Sequence, residues 1–107
     1  MKEYSLGNSR EQVYDLFPER RIKMLQLGEK HLAAVRIGER VFVFQAHCPH
    51  RGASLVQGNI NGLNEIICPL HEYRFDLTTG SIRSGSCGDL EVYKTAINPD
   101  GLKITIP

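Results

Sequence analysis

Two short stretches, Cys48-Pro49-His50-Arg51-Gly52 and Cys68-Pro69-Leu70-His71, constrain this chain of 107 residues more than anything else in it. Each carries one thiol and one imidazole two or three positions apart, so a single loop can direct both side chains toward one point. Two such loops give a four-ligand set of two sulfurs and two nitrogens. Proline directly after each cysteine fixes φ and removes a backbone N–H, which stiffens each loop where a ligand must be held. Residues 51 to 67 separate the stretches, about enough chain for one hairpin, whose geometry brings Cys48 and Cys68 side by side.

Three chemistries are compatible with these residues. A structural zinc site takes Cys₂His₂ tetrahedrally, although zinc-finger spacing normally pairs like with like, whereas each loop here mixes the two types. A [2Fe-2S] cluster with mixed ligation needs two thiolates on one iron and two imidazoles on the other, so one Cys and one His from each loop let the loops straddle it. A nucleophilic cysteine with a histidine base needs only one pair, leaving the second unexplained.

The spacing Cys48-x-His50, then residues 51 to 67, then Cys68-x-x-His71 resembles the signature of the Rieske ferredoxins. Leu55 and Gly58 after the first box, and Phe75-Asp76-Leu77-Thr78-Thr79-Gly80 after the second, extend the resemblance, which runs from about Ile22 to Ile106. It implies an all-β Rieske fold: an antiparallel β-sandwich base with a small inserted cluster-binding lobe, here about residues 46–75, in a single domain spanning 1–107. It also implies that Cys48, His50, Cys68 and His71 hold one [2Fe-2S] cluster per chain, with both histidines at an exposed tip.

Length and charge narrow the function. The chain has the size of one domain, too short for a second catalytic unit such as the mononuclear iron domain of an oxygenase large subunit. A formal net charge of +1 gives no reason to expect nucleic-acid binding. The N-terminus has no apolar run and no stretch approaches transmembrane length, so no membrane association and a cytoplasmic location are expected.

Along the chain, Ser9-Arg10-Glu11-Gln12 is compatible either with a short helical turn through Leu16 or with a loop, and Pro18 ends it in both cases. From Ile22 the pattern becomes short β-rich runs separated by glycine-containing turns, as in small antiparallel folds. Ile22–Leu27, Lys30–Ile37 and Val41–Gln45 are expected strands, joined at Gly28-Glu29 and Gly38-Glu39. Val41-Phe42-Val43-Phe44 is apolar on both faces and should lie inside. Ser54–Gln57 is expected as a short strand, and Asn61-Gly62 as a type I′ turn leading to Glu65–Ile67. Arg74-Phe75-Asp76 follows, then Ser84–Gly88, too rich in small residues for regular structure. Leu90–Ile97 and Leu102–Ile106 close the chain as a hairpin around Pro99-Asp100-Gly101.

The resemblance also bears on the redox chemistry. Mixed ligation leaves the oxidised site formally neutral, so an added electron costs less than at an all-thiolate site, and potentials lie at roughly −150 to +300 mV against about −400 mV. High-potential members have a loop-linking disulfide at the positions of Ala53 and Leu70, and hydroxyl donors at those of Tyr73 and Phe75. The disulfide is missing, and Phe75 cannot donate, so the low end of the range is expected. The implied function is one-electron transfer, without catalysis, from a flavin-containing reductase to a terminal oxygenase, by a monomer. The small subunit of an assimilatory nitrite reductase is the alternative, and a structural zinc-binding interaction domain a more distant one. Cys87 is expected as a small buried or half-buried residue, His47 as a solvated or hydrogen-bonded side chain, His31 as a surface one, and Asp76, Thr78 and Gly80 as a structural turn.

Overall fold

The computed structural model describes residues 1–107. Ten strands form two antiparallel sheets, with one α-helix and one 3₁₀ turn. Strands β1 (Lys2–Leu6), β2 (Ile22–Leu27), β3 (Lys30–Ile37), β4 (Arg40–Gln45), β9 (Val92–Asn98) and β10 (Gly101–Ile106) make a six-stranded sheet in the order β1-β10-β9-β4-β3-β2. Strands β5 (Asn59–Ile60), β6 (Glu65–Ile67), β7 (Arg74–Asp76) and β8 (Ile82–Ser84) make a four-stranded sheet, contributed entirely by the chain between β4 and β9.

The large sheet curls, and its halves meet through two residue pairs, Val43↔Tyr93 and Phe44↔Val92. Curling creates two cores on opposite faces of β3 and β4. Leu32, Ala34, Val41 and Val43 pack inside the curl with Leu102, Ile104 and Ile106. Ala33, Val35, Phe42 and Phe44 point the other way, into Ile66 and Phe75 of the small sheet and Leu55 and Leu77 beside it. Successive strand residues face opposite sides, so strands buried on both faces must be apolar throughout, as the Val41–Phe44 run anticipates. The direct connections β2–β3 and β3–β4 are two-residue turns at Gly28-Glu29 and Gly38-Glu39, in the expected positions.

The N-terminal segment forms β1, paired to β10 from Lys2↔Ile106 to Leu6↔Leu102, and helix α1 (Arg10–Leu16). Ser9 caps the helix, its Oγ accepting from Gln12 N at 3.1 Å, and Gln12 Oε1 accepts from Asn8 N at 2.6 Å. Val13 and Phe17, one turn apart, plug the inner core. Arg36 donates to the Phe17 carbonyl oxygen at 2.6 Å, and Arg20 donates to the carbonyl oxygens of Ile60 and Asn61 at 3.3 and 3.2 Å, which joins this segment to the small sheet.

Two expected elements take different forms. Ser54–Gln57 is not a strand: Ser54 makes one bridge to His47, and Leu55–Gln57 is a 3₁₀ turn that drives the fully buried Leu55 into the outer core. Asn61-Gly62 is not a type I′ turn, because the left-handed residue is Asn64, at φ 58°. The Asn61 side chain wins the competition, its Oδ1 accepting from Leu63 N at 2.9 Å and Glu65 N at 3.1 Å while Nδ2 donates to Glu65 Oε1 at 2.7 Å. The small sheet also reaches Ser84, through a β8 that the run of small residues hid.

Candidate metal centre

Strand β4 runs straight into the first loop. Cys48 N donates to Ala53 O at 2.8 Å and Gly52 N returns to Cys48 O at 2.8 Å, a closed turn that contains His50. The second loop leaves β6 and closes in the same way, Cys68 N donating to Tyr73 O at 2.8 Å. Within it His71 and Glu72 both adopt left-handed backbone, at φ 69° and 56°. Non-glycine residues rarely do so, and each such residue costs of order 1–3 kcal/mol, strain that clusters at functional sites.

The four side chains pair by type. Both thiols are buried, Cys48 3% and Cys68 1% exposed, and neither forms a disulfide. Burial pushes the Cys68 thiol up; the Leu70 amide N–H opposes this, and the neighbouring Cys48 thiol adds to the rise. The imidazoles of His50 and His71 meet edge to face with centroids 5.5 Å apart. His71 is exposed, whereas His50 is half-buried, and its Nδ1 is buried with no hydrogen-bond partner. Desolvation holds His50 below the usual histidine range, with the charges of Arg51 and His71 acting in the same direction. No three histidine, cysteine or carboxylate side chains converge on a single point. Two thiols beside one another, and two imidazoles beside one another, suit a binuclear group better than one tetrahedral ion.

Residues 10–94 match the family model described as the Rieske [2Fe-2S] domain. The chain belongs to that family. It is 32% identical over 73 residues to ferredoxin CarAc of Metapseudomonas resinovorans, covering 68% of this chain and 67% of that protein. It is likewise 32% identical over 66 residues to the ferredoxin component of the naphthalene 1,2-dioxygenase/salicylate 5-hydroxylase systems of a Ralstonia species, covering 62% of each. The matched segment thus spans about two thirds of these curated relatives. The ferredoxin of carbazole 1,9a-dioxygenase from Nocardioides aromaticivorans IC177 shares the fold, with a TM-score of 0.81, 22% identity and 97% of both chains covered. The all-β Rieske fold and the [2Fe-2S] cofactor expected of the sequence are therefore those of the family, and relatives named as ferredoxins are carriers rather than catalysts.

Ala53 and Leu70 occupy the two loops, and Phe75 is fully buried in the outer core. Tyr73 lies flat on His50, ring centroids 4.2 Å apart at 13°. Cys87 is half-buried against the outer core and its Sγ donates to Gly88 O at 3.3 Å. His47 and His31 are exposed. Asp76 makes the turn expected of it, Oδ1 accepting from the Thr78 and Thr79 amides at 2.7 and 3.1 Å and Oδ2 pairing with Arg83 at 3.1 Å. Burial raises the Asp76 carboxyl, and the Arg83 and amide hydrogen bonds outweigh it, for a net lowering. The stack on His50 is the feature the sequence did not disclose. Its one trace is the small-residue run Ser84–Gly88, whose Gly85 lies against Tyr73. No helix is long and apolar enough to cross a membrane.

Proposed function

We propose that this chain is a one-electron carrier in which Cys48 and Cys68 hold one iron of a [2Fe-2S] cluster and His50 and His71 hold the other. The observation that carries this reading is the pairing of donors by type, with an inward Nδ1 on His50 that has no partner inside the protein. A buried nitrogen left unpaired costs about 1–3 kcal/mol, a cost that metal ligation removes. The buried cysteines supply thiolate charge that the irons neutralise, since metal binding releases the thiol protons. When bound, the cluster supplies a single redox equivalent at a potential raised by imidazole ligation.

The protein's own part is to hold the four ligands and to present the two imidazoles outward. His71 is exposed and His50 half-buried, so the imidazole pair is the part of the site nearest an incoming partner. The partners we propose are a flavin-containing reductase as donor and a terminal oxygenase as acceptor, in line with the dioxygenase-system ferredoxins among the relatives. Contact should be small and short-lived, as transient redox complexes are. The carrier is proposed to act as a cytoplasmic monomer, with all 107 residues forming one Rieske domain. With no disulfide between the loops, Phe75 in the core and the Tyr73 ring stacked on His50, hydroxyl donation to the cluster is poor and the potential should fall low in the range.

The test is electron paramagnetic resonance of the purified protein after dithionite reduction, with iron, sulfide and zinc analysis. A rhombic spectrum of lowered average g is expected from mixed nitrogen and sulfur ligation. A silent spectrum with stoichiometric zinc would overturn the assignment, and a midpoint above about +100 mV would overturn the low-potential reading.

A further inference from the structure

We propose that Tyr73 and Gly85 form a clamp that fixes the plane of the His50 ring and keeps water from one of its faces. This makes Tyr73 a positioning residue for the centre, and as a statement about the bound cluster it rests on the ligand reading above. The rings of His50 and Tyr73 are nearly parallel, at 13° and 4.2 Å between centroids, so a large part of one imidazole face is covered. Gly85 supports the tyrosine. A Cβ built on Gly85 would collide with three adjacent ring atoms, Cγ, Cδ2 and Cε2, at nearly equal separations, which puts the glycine over the ring face rather than beyond its edge. His50 takes one face of Tyr73, and the other is left for Gly85. Gly85 has φ 126°, a conformation side chains rarely adopt, so both its backbone and its close approach require glycine.

Two further observations tie the clamp to the site. The Tyr73 carbonyl accepts the hydrogen bond from Cys68 N that closes the second loop, while the Tyr73 ring covers the histidine of the first. One residue therefore couples the two ligand loops. The His50 Nδ1 makes no hydrogen bond within the protein, so without the cluster packing must set the ring's orientation. The left-handed pair His71 and Glu72 immediately precedes Tyr73 and turns the chain back toward the first loop. The glycine-rich segment after β8, which carries no proline to stiffen it, supplies cover through its smallest residue.

The experiment compares Tyr73→Phe, Tyr73→Ala and Gly85→Ala with the wild-type protein, using the midpoint potential and g anisotropy of the loaded form. Nuclear magnetic resonance of the His50 ring protons in the metal-free form is the third readout. Tyr73→Phe should match the wild type in all three, because the ring and not the hydroxyl acts. Tyr73→Ala and Gly85→Ala should both raise the potential, because water admitted to the histidine stabilises the more negative reduced state. Both should also lose the ring-current displacement of the His50 signals. Should Tyr73→Ala fail to fold, Tyr73→Leu keeps apolar bulk without a stacking plane and takes its place. The clamp is refuted if the alanine and leucine variants leave the His50 signals and the potential unchanged, or if Tyr73→Phe moves them as far. A wild type without the rhombic signal refutes the ligand reading instead, and the metal-free measurement still decides the clamp.

Discussion

Replacing Gly80 by alanine should remove a large part of the stability of this protein, for two separable reasons. Gly80 has φ 81°, and left-handed backbone costs an L-residue about 1–2 kcal/mol. A Cβ there would also run into the Leu90 carbonyl oxygen, which is backbone and cannot swing aside. Relieving the collision pushes apart the segments joined by the Leu90 N to Gly80 O hydrogen bond of 2.8 Å. Leaving those buried groups unpaired adds about 1–3 kcal/mol. The expected loss of about 2–5 kcal/mol is a substantial share of a typical total of about 5–15 kcal/mol. It corresponds to a fall in Tm of about 10–20 °C for a domain of this size. Gly38 is the matched control: its φ is 63° but a Cβ there meets nothing within 4 Å, so Gly38→Ala should cost only about 1 kcal/mol. The chain has no tryptophan, so urea and thermal unfolding would be followed by far-ultraviolet circular dichroism on all three proteins. If Gly80→Ala proves no worse than Gly38→Ala, the collision argument is wrong.

Glu72→Gly should stabilise the metal-free protein by about 0.5–1 kcal/mol, since Glu72 sits at φ 56° and glycine removes that strain at some cost in unfolded-state entropy. An unchanged urea midpoint would show that the second loop is not strained. The Tyr93 hydroxyl donates to Glu91 Oε2 at 2.9 Å, and its pKa is pushed up to about 12, first by burial and then by that carboxylate. A raised folded-state pKa gives stability that is fully present below the unfolded value, near pH 10, and is lost as pH rises toward 12. For a partly exposed group the loss should be on the order of 1 kcal/mol. Tyr93→Phe should abolish that part of the alkaline decline in chemical-denaturation curves, and an identical decline in both proteins would contradict the assignment.

The sequence by itself determined most of the strands and put forward the donor set proposed above. Four ligands of two types at fixed spacing are a local fact, and so are the β-rich runs between turns that mark Ile22–Leu27, Lys30–Ile37 and Glu65–Ile67, all of which form strands over those same residues. The run Val41–Phe44 declared its double burial because each strand face needs its own apolar side chains. The turn at Asp76–Gly80 was legible for the same local reason: an aspartate accepting from the amides two and three residues on leaves a sequence trace. Where two local rules competed, as at Asn61, only the folded chain decided between a left-handed hairpin turn and an Asx turn, because Glu65 had to be in place to receive the side chain. Strand β1 was hidden for a related reason, since Tyr4 and Leu6 are only half-buried and gain their meaning from β10 at the far end of the chain. The stack of His50 on Tyr73, backed by Gly85, belongs wholly to the tertiary structure. It joins three loops whose approach follows from closing two sheets around one core, and no periodicity along the chain records where a ring will meet a backbone.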